Sequence, residues 1–99
     1  MEELKKLIID TIDKTYWEEV EFSDYELEEI EELDEINEGE YIEGGTIIGV
    51  YEKGNTDKEP LFYLRQNYAK IGSYYTDYDY YYEKPYVTSK ITKTIEVWE

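Results

Sequence analysis

The stretch TIIGVYEK, residues 46–53, with GNTDKE at 54–59 and PLFYLRQN at 60–67, decides the fold. The first run is rich in β-branched residues, which favours a strand. A polar loop follows, and the apolar and aromatic side chains of 60–67 indicate a strand that returns along the first. Together the runs predict a β-hairpin with a loop longer than the tight two-residue type.

Two further elements flank this hairpin. Apolar side chains recur at helical spacing over residues 2–14, which predicts a helix. Its stripe consists of Leu4, Leu7, Ile8, Thr11 and Ile12. Glu2 and Glu3 in its first turn and Lys14 in its last would complement the helix dipole. Residues 87–98 alternate in polarity and predict a last strand. Its core-facing side would carry Val87, Ile91, Ile95 and Val97.

Residues 24–36 fit two interpretations. Ser23 and Glu26 have the spacing of a capping box, which favours a second helix. Apolar residues recur every third position, namely Leu27, Ile30, Leu33 and Ile36. Many like charges four residues apart would destabilise such a helix, so the alternative is a bent strand at a sheet edge. Periodicity and capping favour the helix.

The predicted fold class is α+β, in a single small acidic domain over residues 1–99. The N-terminal helix, with or without a second acidic helix at 24–36, packs on a three- to four-stranded antiparallel sheet. Ninety-nine residues leave little room for a second domain.

Composition excludes several functions. The chain has 26 acidic and 10 basic residues, a formal net charge of −16, and neither histidine nor cysteine. Disulfides, imidazole or thiolate metal sites and histidine-dependent catalysis are therefore excluded. Direct binding to nucleic acid is disfavoured, because phosphate contacts need Lys and Arg. No other pattern indicates catalysis, so we expect a protein that is not an enzyme and needs no cofactor or metal.

The sequence also indicates a compartment. No run of about 18 apolar residues could span a bilayer, and an acidic surface would be repelled by anionic lipid. The N-terminal MEELKKLIID lacks the cationic start and apolar stretch of a secretory signal. The absence of cysteine fits a reducing environment. We expect a cytoplasmic protein without a membrane partner.

The negative charge is concentrated in the acidic segment, Glu18 to Glu43, which has 14 acidic residues and no basic one. Apolar residues interleave with these acids, which predicts a folded segment with one buried and one negative face. Regularly spaced carboxylates could mimic nucleic-acid phosphates and bind a cationic protein. The alternative is a solvated face that maintains solubility. The candidate partner-binding residues are Glu18, Glu19, Glu21, Asp24, Glu26, Glu28, Glu29, Glu31, Glu32, Asp34 and Glu35.

A second candidate surface is the tyrosine segment, residues 74–86, with seven tyrosines in thirteen positions. A core of this size cannot bury both faces of such a strand, so several rings must be exposed. Exposed tyrosines are typical of interfaces, where they can stack on arginine. The alternative is that tyrosine serves as ordinary strand filler. The candidate residues are Tyr74, Tyr75, Asp77, Tyr78, Asp79, Tyr80, Tyr81 and Tyr82.

In size, acidity and these two segments, the chain resembles the small inhibitors made by phages and mobile elements. These include anti-CRISPR and anti-restriction proteins, several of which mimic DNA. The resemblance implies a steric inhibitor that needs no cofactor. It transfers no individual residue role, because the group shares no motif.

The leading hypothesis is a non-catalytic inhibitor that blocks the nucleic-acid-binding groove of a basic host defence protein, such as a CRISPR effector or restriction nuclease. An immunity protein or antitoxin against a basic nuclease toxin is the first alternative. A virion accessory protein is the second. The sequence leaves the oligomeric state and the partner's identity open.

Overall fold

The computed structural model describes residues 1–38, 41–72 and 79–89, and of residues 34–38 it describes the backbone only. The chain begins with helix α1 (Glu2–Ile12), followed by a single 3-10 turn at Trp17–Glu19. The strands are β1 (Tyr25–Glu38), β2 (Tyr41–Glu52), β3 (Phe62–Ile71), β4 (Asp79–Tyr82) and β5 (Tyr86–Thr88). The fold is α+β, one N-terminal helix on an antiparallel sheet, which confirms the predicted class.

The sheet has the order β1-β2-β3-β4, with β5 also pairing with β3. Strand β4 pairs with the C-terminal part of β3, and β5 pairs with its N-terminal part. In the described residues the sheet therefore has five strands, one more than the upper number predicted. Strand β1 pairs only with β2 in this order, so it forms an edge.

The β2–β3 hairpin confirms the interpretation of residues 46–67. Its register places Ile48 opposite Leu64 and Val50 opposite Phe62, and all four side chains are buried. Ile8 and Ile12 of α1 pack on this face of the sheet, together with Trp17. This cluster is the apolar core, and its burial stabilises the fold through the hydrophobic effect.

The helix predicted over residues 2–14 is confirmed, but it is shorter than predicted. It ends at Ile12, so Lys14 lies beyond its last turn, contrary to the prediction. Leu7 of the predicted stripe is 57% exposed. The burial of Ile8 and Ile12, one turn apart, fixes the face that α1 presents to the sheet.

The helix favoured at 24–36 is wrong, because this segment is strand β1. The capping box is not formed either: Glu26 Oε1 accepts a hydrogen bond from the backbone N of Gly54, at 2.9 Å. Two register shifts, between Glu29 and Glu31 and between Asp34 and Ile36, interrupt the pairing with β2. In a strand, a spacing of three residues places apolar side chains on both faces, so it does not require a helix.

The C-terminal strand is confirmed only in its first residues. Strand β5 pairs Val87 with the buried Leu64, yet Val87 itself is 42% exposed and not a core residue. The positions of Ile91, Ile95 and Val97 lie outside the described residues. No helix in the described ranges has the length and apolar character needed to cross a membrane.

Candidate partner-binding grooves

Two grooves lie on either side of the segment Tyr16–Glu18. The first, which we call the acidic groove, has a volume of about 480 Å³ and lies between this segment and the start of β1. Its glutamates are Glu18, Glu21, Glu26, Glu28 and Glu29. Its apolar lining consists of Trp17, Val20, Phe22, Tyr25 and Leu27.

The acidic groove has a strongly negative lining above an apolar floor. Glu28 and Glu29 are exposed, whereas the preceding residue, Leu27, is half-buried and packs against the core. Lys53 is the cation in the described lining, and its Nζ donates to the backbone oxygen of Phe22 at 3.3 Å. One ammonium group cannot balance five carboxylates, so a strong negative potential is expected in this groove.

The predicted acidic residues therefore separate into groups. Five of them line the acidic groove, while Glu19 and Asp24 are exposed beside it. Glu31 lies opposite Ile47 in the pairing of β1 with β2. Glu32 lines the second groove. Asp34 and Glu35 lie in the part of β1 for which the structure describes the backbone only.

The second groove, which we call the tyrosine groove, has a volume of about 500 Å³. Its lining consists of Tyr16, Glu32, Ile42, Thr46, Tyr68, Lys70, Tyr80 and Tyr82. Tyr82 is central: its ring centroid lies 5.0 Å from that of Tyr16, 6.0 Å from that of Tyr80 and 6.3 Å from that of Tyr68. Four aromatic rings from three separate parts of the chain thus form one surface.

Gly44 allows the side chain of Tyr68 to reach across the sheet. Tyr68 on β3 donates its hydroxyl hydrogen to Glu32 Oε2 on β1, at 2.9 Å, although β2 lies between these strands. A Cβ at Gly44 would lie 2.7 Å from the Tyr68 hydroxyl oxygen and 2.7 Å from the Leu33 carbonyl oxygen. Only glycine leaves room for this close approach.

The environment raises the pKa of two tyrosines in the groove, Tyr16 and Tyr82. Burial, followed by the hydrogen bond that Tyr16 donates to Glu18 Oε1 at 3.0 Å, raises the pKa of Tyr16 to about 12. Burial is also the largest cause that raises the pKa of Tyr82. The shifts extend to higher pH the range in which both hydroxyls are hydrogen-bond donors.

Gln66 holds the segment between the grooves. Its buried side chain accepts a hydrogen bond from the backbone N of Trp17 at 3.2 Å. Its Nε2 donates to the backbone oxygens of Thr15, at 2.8 Å, and Glu83, at 3.0 Å. One side chain on β3 thereby ties together the turn after α1 and the segment after β4.

The tyrosine segment is described only in part. Tyr80 and Tyr82 line the tyrosine groove, whereas Tyr81 does not. Tyr80 and Tyr81 are exposed, as predicted for several of these rings, and Asp79 is exposed as well. The remaining candidates, Tyr74, Tyr75, Asp77 and Tyr78, lie outside the described residues.

Sequence reasoning missed the contributions of Tyr16, Tyr68, Lys70 and Gln66. Tyr16 and Tyr82 meet although 66 positions separate them in the chain, so no local pattern could associate them. A glycine within a strand can signal a close approach by another group, and Gly44 with the hairpin register would have directed attention to Tyr68.

Within the described residues, no three acidic side chains converge as a metal-binding group. Comparisons with protein-family models, curated proteins and solved structures gave no match. The interpretation of the grooves therefore depends on their geometry and charge.

Proposed function

We propose that this protein is a non-catalytic inhibitor that uses its acidic groove to occupy the nucleic-acid-binding surface of a basic protein. The observation that supports this proposal is the lining of the acidic groove: five glutamates surround apolar side chains, and the described lining contains one lysine. Such a surface complements arginine and lysine side chains, whose charged heads pair with carboxylates while their stems cover apolar groups.

Strand geometry supports mimicry of nucleic acid. Alternate residues of an extended strand lie ~7 Å apart on one face. Duplex phosphates advance ~3.4 Å per strand along the helix axis. A strand rich in glutamate can therefore present negative charge at intervals comparable to those of a phosphate backbone. Glu28 and Glu29 on β1 are exposed, and the outer edge of β1 has no neighbouring strand within the described residues.

The proposed targets are defence proteins that handle DNA, a CRISPR effector or a restriction nuclease, in the cytoplasm of a host cell. The chain's resemblance in composition to phage-encoded anti-CRISPR and anti-restriction inhibitors supports this choice of targets. Binding would be fast and steered by charge, and salt would weaken it.

The test is a DNA-binding competition with purified nucleases of both classes. We expect the unmodified protein to displace DNA from its target, and the double variant Glu28→Lys/Glu29→Lys to bind that target at least about tenfold more weakly. Glu2→Lys/Glu3→Lys is the matched control, since it changes the net charge equally on the exposed start of α1.

Equal loss of binding in both variants would show that only overall charge matters, which contradicts a site in the acidic groove. If both variants bind the target as tightly as the unmodified protein, the proposal is wrong. Inhibition of a secreted-type nuclease toxin, with no effect on either defence nuclease, would assign the same groove to an immunity protein.

A further inference from the structure

We infer that the tyrosine groove binds an arginine side chain of the basic partner, with Glu32 as its counter-ion and the tyrosine rings as its stacking surface. This inference rests on the proposed function for the existence of a basic partner. It concerns a different groove, so the two can fail separately.

The groove offers the two kinds of contact that a guanidinium group uses. A guanidinium is planar and weakly hydrated, so it stacks on aromatic faces and pairs with carboxylates through two N–H groups. Tyr16, Tyr68 and Tyr82 supply the rings, and Glu32 lies among them. Glu32 is exposed and accepts one hydrogen bond from Tyr68, which leaves acceptor capacity, because a carboxylate has about four lone-pair sites.

One further ring of this groove already contacts a cation. Lys70 Nζ lies 5.5 Å from the centroid of the Tyr80 ring, within the range of a cation–π interaction. Lys70 therefore places positive charge beside Tyr80, whereas Tyr16 donates a hydrogen bond to the carboxylate of Glu18. An arriving arginine would therefore be directed away from Lys70 and toward Glu32 and Tyr16.

The counter-ion of this groove is held in a fixed place. The hydroxyl of Tyr68 holds Glu32 over the groove through its 2.9 Å hydrogen bond. The carboxylate is thus positioned before a ligand arrives, which lowers the entropic cost of binding.

The experiment is an NMR titration of the whole chain with Nα-acetyl-arginine methylamide, compared with the citrulline analogue, which has the same shape and no charge. We expect the ring resonances of Tyr16, Tyr68 and Tyr82 to shift, with a Kd about tenfold lower for arginine than for citrulline. Glu32→Gln should raise the Kd for arginine about fivefold. Glu59→Gln, which removes a charge from an exposed loop residue, is the matched control.

Equal Kd values for the two compounds, or equal effects of Glu32→Gln and Glu59→Gln, would overturn the inference. So would shifts confined to residues 25–29. The amide spectrum of each variant verifies that the fold is intact. The double variant Glu28→Lys/Glu29→Lys separates the proposals: it should weaken binding to the nuclease at least about tenfold but alter the Kd for arginine no more than about twofold, since it leaves the tyrosine groove complete.

Discussion

The two grooves are built in opposite ways. Apart from Lys53, every residue that lines the acidic groove lies between Trp17 and Glu29, so its lining comes from one short stretch of sequence. The tyrosine groove combines Tyr16 with residues from four different strands. The first depends on a short segment that carries its own charge, whereas the second exists only when the strand register is correct.

This difference separates two kinds of surface. Charge density is a property of composition, so the acidic groove should tolerate single substitutions. Contacts between distant rings depend on packing, so the tyrosine groove should respond to small changes in the strands beneath it. Three predictions test this contrast, beginning with the largest expected effect.

Gly44→Ala should disrupt the packing of the tyrosine groove and leave the acidic groove unchanged. The added methyl group would meet the Tyr68 ring and the Leu33 carbonyl oxygen, and the latter cannot move without β1. We expect a loss of about 1–3 kcal/mol in the free energy of unfolding, measured with urea, as for other overpacked sites. The hydrogen bond between Tyr68 and Glu32 should also be lost, which the ring resonances of Tyr68 would report.

Gly54→Ala is the control for that experiment. Gly54 has a φ of +86° and nothing near its Cβ position, so its substitution strains the backbone without touching the tyrosine groove. An unchanged Tyr68 environment in Gly44→Ala would show that the sheet absorbs the methyl group, and the proposed fragility of the tyrosine groove would be wrong.

The second effect is confined to alkaline solution. Because the folded-state pKa of Tyr16 is about 12 and its ordinary value is 10.0, the unfolded chain loses this proton first. The stability that protonated Tyr16 contributes is fully present below pH about 10 and is lost as the pH rises toward 12. We expect the stability of the unmodified protein to fall more steeply across this interval than that of Tyr16→Phe, measured by urea unfolding at each pH. If stability falls equally with pH in the unmodified protein and in Tyr16→Phe, the raised pKa of Tyr16 is contradicted.

The smallest effect concerns the acidic groove. Glu28→Gln relieves like-charge repulsion at an exposed position, so we expect it to raise the free energy of unfolding by up to about 0.5 kcal/mol at low salt. The gain should disappear at high salt through screening. Glu26→Gln should gain less, because the Glu26 carboxylate accepts a charge-assisted hydrogen bond from Gly54 N. Equal gains would show that this bond adds no stability.

Local pattern predicted the parts of the fold that local physics controls. The β-branched run at 46–53 and its return at 60–67 form the central hairpin, and the stripe with Ile8 and Ile12 marks the buried face of α1. The same approach failed at 24–36. Apolar spacing there resembled a helix, but the register shifts in β1 allow that spacing in a strand.

Composition and order of residues alone determined the α+β class and the concentration of excess negative charge in the first half of the chain, since both follow from side-chain chemistry. Tertiary structure decided that residues 25–38 of the acidic segment form a strand. Strand β2 is buried between two neighbours, and its backbone groups need partners on both sides. It also decided that Glu32 meets Tyr68 and that Tyr16 meets Tyr82, because contacts between residues so distant in the chain depend on how the strands align.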